Sequence, residues 1–212
     1  DNGLNWSNTS GNTASFSNLS DGPYRFRAKI TDTAGNVAYT NVLSMTLDTT
    51  VTAGSLAFGN LTDTGSSGTD YITSDKNFNL ALTGNEANST VVYQEKFNSG
   101  SWSDLTTAVR ADLADGTYQY QAIVTDLAGN STTLSGLSVT VDTLAPTATL
   151  TSASTSTPNG FNATVQSSET GMAYLVKDTL VPTAVSQITG ASDSLWNQIA
   201  ITTANTNTSL ST

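Results

Sequence analysis

Asp115–Leu144 reads DGTYQYQAIVTDLAGNSTTLSGLSVTVDTL, and Asp21–Thr50 reads DGPYRFRAKITDTAGNVAYTNVLSMTLDTT. Aligned without gaps, about half the positions are identical. Asp21 falls on Asp115, Tyr24 on Tyr118, Asp32 on Asp126, Asn36 on Asn130 and Asp48 on Asp142, each pair 94 residues apart (115 − 21). Self-similarity at a fixed period marks a tandem array, so the repeat sets the organisation before any other feature is read. A third, weaker copy follows. Asn77–Tyr93 aligns with Gly160–Val176, so that Phe78 meets Phe161 and Glu86 meets Glu169. This copy lacks the acidic insert LTDTGSSGTDYITSD of the second, and it lacks the DGxY, TDxAGN and VDT signatures. The expected division is therefore 1–48, the back part of one repeat; 49–142, a complete repeat; and 143–212, the front part of a divergent repeat.

Within the repeat, apolar residues alternate with period two, the signature of a strand with one face buried. Tyr118, Tyr120, Ala122 and Val124 share one face; Leu137, Val139 and Val141 line another strand. The first copy follows the same scheme with Tyr24, Phe26, Ala28 and Ile30, opposite a polar face carrying Arg25, Arg27 and Lys29. Strands are expected at about 54–59, 77–83, 90–97, 101–104, 106–112, 117–125 and 132–141, joined by turns such as TDLAGN, where Gly129 can take a positive φ. No segment shows a sustained helical period. Seven short strands with wet outer faces match an immunoglobulin-like sandwich, and Tyr118 sits where such folds place a tyrosine corner. The fold class is all-β: tandem immunoglobulin-like β-sandwich domains, one complete and two partial copies, in an extended rod.

Composition excludes much chemistry. The 212 residues hold 17 acids and 7 bases, with no histidine and no cysteine. Imidazole-based catalysis, disulfides and Cys/His zinc sites are ruled out. A net charge of −10 disfavours nucleic acid, whose phosphates need neutralising. No apolar run approaches the roughly 18 residues of a bilayer span, so no membrane insertion is expected in this segment. The chain opens at Asp1 without a basic-then-apolar leader and reads as a piece of a longer polypeptide. Acids that recur in repeat form, not as a pair in one unique cleft, argue against a two-carboxylate glycosidase.

The acids are expected at the two ends of the sandwich. Asp63, Asp70, Asp75, Asp112, Asp115 and Asp142 fall at one pole, the first three in a Gly/Ser-rich loop. Glu86 and Asp126 fall at the other, facing Asp21 and Asp48 of the first copy. Clustered carboxylates repel unless a cation joins them. Oxygen-only donors favour a hard ion, and flexible geometry favours Ca2+ over Mg2+. The candidate metal ligands are Asp48, Asp63, Asp70, Asp75, Glu86, Asp115, Asp126, Asp142 and Glu169. Each motif alone also reads as an ordinary turn or strand end; the combination points to metal.

DGTYQYQAIVTDLAGN, VDTLAP and DTGSSGTDYITSD resemble the bacterial Ig-like repeats of very large, type I-secreted RTX and biofilm-associated adhesins. The resemblance is strongest over 49–146. It implies a calcium-stiffened stalk at the bacterial cell surface, whose partners are neighbouring repeats of the same polypeptide, with any host or biofilm surface ligand bound by other regions. It carries Asp48 and Asp142 over to the linker motif, Asp63 and Asp70 to the loop motif, and Asp126 to TDLAGN. A ligand-binding module for glycan, protein or ice is the alternative, prompted by the divergent third copy and its Thr/Asn-rich stretches.

Overall fold

A computed structural model describes residues 15–157 and 160–211. The chain forms two compact units, Asp1–Thr143 and Leu144–Thr212. The first unit opens with β1 (Gly22–Phe26), β2 (Lys29–Thr31), β3 (Val37–Tyr39) and β4 (Leu43–Leu47). It continues with β5 (Ser55–Gly59), β6 (Ile72–Thr73), β7 (Phe78–Thr83), β8 (Thr90–Phe97), β9 (Ser103–Asp104), β10 (Val109–Arg110), β11 (Gly116–Thr125) and β12 (Ser131–Val141).

The complete repeat is a sandwich of a three-stranded sheet, ordered β10-β7-β5, and a five-stranded sheet, ordered β6-β12-β11-β8-β9. The alternation read from the sequence sets the inner face. Tyr118, Tyr120, Ala122 and Val124 are at most 5% exposed, as are Val139 and Val141, whereas their neighbours on β11 are half-exposed. Phe78 and Leu80 of β7 close the core from the opposite sheet. Phe58, Phe78 and Tyr120 meet edge to face, with ring centroids 5.1–6.1 Å apart, the arrangement that aromatic quadrupoles favour. One extra residue on β12 makes a bulge: Tyr120 pairs with Leu137 and Ala122 with Leu134, and Gly136 takes φ 101°. Only glycine adopts that conformation without strain. Arg110 of β10 and Glu95 of β8 form an ion pair at 2.8 Å that ties the two sheets together. Burial, with the Glu95 charge beside it, keeps the Tyr120 hydroxyl neutral far above its ordinary pKa.

Tyr118 makes the corner. Its hydroxyl donates to the Ala114 carbonyl at 2.9 Å, and Tyr24 repeats the bond to Ser20 at 2.6 Å. Tyr118→Phe keeps the ring and loses the bond, so urea denaturation should show about 1 kcal/mol less stability.

Three expectations need correcting. The strand placed at 106–112 is only β10. Two register pairs and a Leu80 N–H to Ala108 carbonyl bond hold it against β7. The Thr107 hydroxyl then turns the chain by accepting from Val109 N–H, and Asp112 at φ 52° ends it. The strand placed at 101–104 shortens to β9. The acidic loop, read as irregular, contains β6, which pairs parallel with β12.

The first copy keeps the register of the second: Tyr24 faces Met45 and Phe26 faces Leu43, as Tyr118 faces Val139 and Tyr120 faces Leu137. Its apolar face is nevertheless open, with Leu43 65% and Met45 48% exposed.

The second unit has β13 (Ala148–Thr157), β14 (Gly160–Ser167), β15 (Gly171–Val176), α1 (Val185–Thr189), β16 (Trp196–Ile201) and β17 (Thr208–Ser211). Its three-stranded sheet runs β13-β14-β17, and β15 pairs with β16. Ala163, Ile188, Ile201 and Leu210 are its buried apolar residues among those described; the side chain of Phe161 lies outside what is described. Helix α1 is five residues long, and the fold remains all-β. The helix has too few turns for a period to register; just before it, the Thr183 N–H donates to Gln187 Oε1 at 2.7 Å. Among the described residues no helix is long and apolar enough to cross a membrane.

Candidate metal centre

Three chain segments converge where the first copy meets the second. Asp48 follows the end of β4, Glu86 sits in the turn between β7 and β8, and Asp126 follows β11. One carboxylate oxygen from each lies within 4.8 Å of the other two. Among the described residues this is the one set of three acids that does so.

Local chemistry places each of them. The Glu86 turn closes through Ser89, whose N–H and hydroxyl both donate to the Glu86 carbonyl. The linker is stapled to the same turn: Glu86 N–H donates to the Thr52 carbonyl at 3.0 Å, and Thr52 N–H to Glu86 Oε2 at 3.3 Å. Gly54 permits this approach, since a Cβ there would stand 2.4 Å from the Thr83 carbonyl oxygen. Asp126 is the most enclosed of the three, at 7% exposure. Its Oδ1 accepts from Asn130 N–H at 2.8 Å and its Oδ2 from Asn130 Nδ2 at 2.7 Å. Gly129 turns the loop at φ 95°.

Desolvation is the largest influence on the Asp126 carboxyl and acts to raise its pKa. The Asn130 side chain, with the Asn130, Gly129 and Ala128 N–H groups, outweighs it and holds the pKa below the ordinary 3.8. The stability this carboxylate contributes is therefore complete above pH 3.8 and is lost as pH falls through its lower folded value. Asn130 side-chain amide resonances followed by NMR should stay unchanged from pH 7 to 5 and move only below about pH 4.

The remaining candidates go elsewhere. At the opposite pole Asp63 Oδ2 accepts from Tyr71 N–H, Asp70 Oδ1 from Ile72 N–H, and Asp75 from the N–H groups of Thr62 and Asn77. Asp63 Oδ1 is buried without a hydrogen bond, beside a cleft of about 380 Å³ lined by Phe58, Leu61, Tyr71 and Leu137 among others. Asp115 accepts from the Thr143 hydroxyl at 2.9 Å, and Asp21 likewise from Thr49 at 2.8 Å; Asp21 is thus not in the triad. Asp142 donates its N–H to the Thr73 carbonyl, and Glu169, in the second unit, donates its N–H to Ser167 Oγ.

Sequence reasoning missed Asn130, whose Nδ2 also donates to the Asp48 carbonyl at 3.0 Å. Its identity with Asn36 across the repeat was the available signal.

Residues 50–143 match the family model of a bacterial Ig-like domain, and residues 2–49 match a second model with the same description. These repeats are bacterial Ig-like domains. Such domains suggest an extracellular extender or adhesion-type role; they are typically non-enzymatic structural modules and are commonly surface-exposed. The carboxylate triad lies at the boundary between the two matched Ig-like segments. The comparison with curated proteins returned no match.

Proposed function

We propose that the chain is a calcium-rigidified extender segment of a large bacterial surface adhesin serving cell adhesion or biofilm formation. The convergence of Asp48, Glu86 and Asp126 between two Ig-like domains carries this reading. Three carboxylates drawn from three segments repel one another, and a cation held among them would remove that repulsion and fasten the linker to both domains. The donor set fits a hard ion: oxygen only, in a chain without histidine or cysteine. Calcium completes such a set with carbonyls and waters, whereas magnesium demands stricter octahedral geometry. The buried, unsatisfied oxygen of Asp63 is a further place where a cation would satisfy this fold.

Extracellular modules often bind calcium with Kd on the order of 10⁻⁴ to 10⁻³ M. The sites would then stand empty at cytosolic calcium levels and fill outside the cell, so export of a pliable chain and a stiff product are compatible. Calorimetric titration should show calcium binding in that range, weaker for magnesium, lost in Asp126→Asn. Small-angle scattering should show a narrower set of dimensions with calcium than with EDTA. Absence of heat together with identical scattering would reject the reading.

A further inference from the structure

The TDxAGN loop occurs twice, and the two copies share their Asp–Asn hydrogen bonds. Asn N–H to Asp Oδ1 is 2.8 Å at Asp126–Asn130 and 2.7 Å at Asp32–Asn36. Asn Nδ2 to Asp Oδ2 is 2.7 Å and 2.8 Å, and Asp N–H to the Asn carbonyl is 3.0 Å in both. The Gly N–H to Asp carbonyl distance differs slightly, 3.1 Å at Gly35 and 3.4 Å at Gly129, and the larger difference lies outside the loop. Asn130 Nδ2 also donates to the Asp48 carbonyl, 82 residues away in the preceding repeat. Among the described residues Asn36 makes no bond beyond its own loop.

An amide nitrogen carries two protons. The carboxylate takes one and thereby aims the other along a fixed direction. Among the described residues nothing is seated on Asp32–Asn36, yet it has the same arrangement; a loop already organised this way need not be ordered again on docking. We propose that the TDxAGN loop is a metal-independent receptor for the strand-exit backbone of an adjoining Ig-like repeat, with Asn130 as the latch on Asp48. Asn36 presents the same latch to the exit backbone of another such repeat. The partner class is a main-chain carbonyl at the end of a repeat's last strand, not a side chain. The receptor therefore tolerates any sequence that leaves the strand with that geometry. Asn130 is a positioning residue: it orients the junction on which the calcium reading rests, yet it needs no ion to do so.

The test is run in EDTA, so that it stands whether or not calcium binds. In the unaltered 212-residue chain, side-chain amide hydrogen exchange followed by NMR should find both Asn130 Nδ2 protons protected. At Asn36 only one should be, the second exchanging at least tenfold faster. Equal exchange of the outward protons at the two sites would overturn the proposal. A second measurement uses nitroxide labels on Ser44→Cys and Thr133→Cys, both exposed strand positions, and reads their distance distribution by pulsed electron resonance. Asn130→Ala should broaden that distribution about twofold while leaving the melting temperature of the middle repeat within a few degrees. Asn36→Ala should leave both unchanged. An Asn130→Ala distribution as narrow as the parent's would also defeat the latch, and calcium-dependent narrowing could still be observed independently.

Discussion

Replacing Tyr120 with alanine is expected to destabilise the middle repeat by about 3–5 kcal/mol, the range for deleting a fully buried aromatic ring. Tyr120 has no exposed surface and packs between Phe58 and Phe78, with Tyr118 stacked beside it. Because a domain of this size holds about 5–15 kcal/mol in total, the loss takes about a fifth of its stability or more. Phe26, 94 residues earlier, has the same register partner and the same strand position, but it is only half-buried. Phe26→Ala should therefore cost about 1 kcal/mol, roughly half the transfer energy of a fully buried side chain. Urea denaturation followed by circular dichroism compares the two. Equal losses would mean that the first copy has a closed core, contrary to the exposure of Leu43 and Met45.

The second large effect is a change of sign at Glu86. With calcium at ten times its Kd, one site adds about 1.4 kcal/mol by mass action. For a domain near 100 residues that is a rise in melting temperature of roughly 6–10 °C. Glu86→Gln removes one of three carboxylates and should weaken binding by about tenfold or more, because calcium affinity follows ligand charge. Most of the rise then disappears. In EDTA the same variant should melt at the parent's temperature or above it. The amide oxygen can still accept the Thr52 N–H, while two like charges no longer face a third. Scanning calorimetry in both conditions makes the comparison. A drop of equal size with and without calcium would show that Glu86 acts as a turn residue alone.

Asp115 and Asp126 show what residue type alone leaves open. Both are aspartates in repeated motifs, and both were candidate ligands. Asp115 lies within reach of the Thr143 hydroxyl and accepts from it. Asp126 is instead brought beside two other acids by the return of β11 to the pole where β4 ends and β7 turns into β8. Of the loop acids, Asp70 accepts the Ile72 N–H through Oδ1 and Asp75 the Asn77 N–H through Oδ1, the usual local use of a short acidic side chain.

By itself the sequence determined what depends on near neighbours. Period-two alternation set which faces of β11 and β12 are buried, because successive side chains on a strand point to opposite sides whatever the strand packs against. Gly129 was legible as the turn residue of TDLAGN, since glycine alone takes a positive φ without strain, and the 94-residue period set the array. Tertiary structure decided what depends on distant segments meeting: the short reach of β10, the pairing of β6, which of the acids expected at one pole come within reach of one another (Asp48, Glu86 and Asp126, without Asp21), and the bond from Asn130 to the Asp48 carbonyl. Those contacts join residues tens of positions apart, and their distances are set by how the strands stack and how the linker leaves β4, which no local pattern encodes.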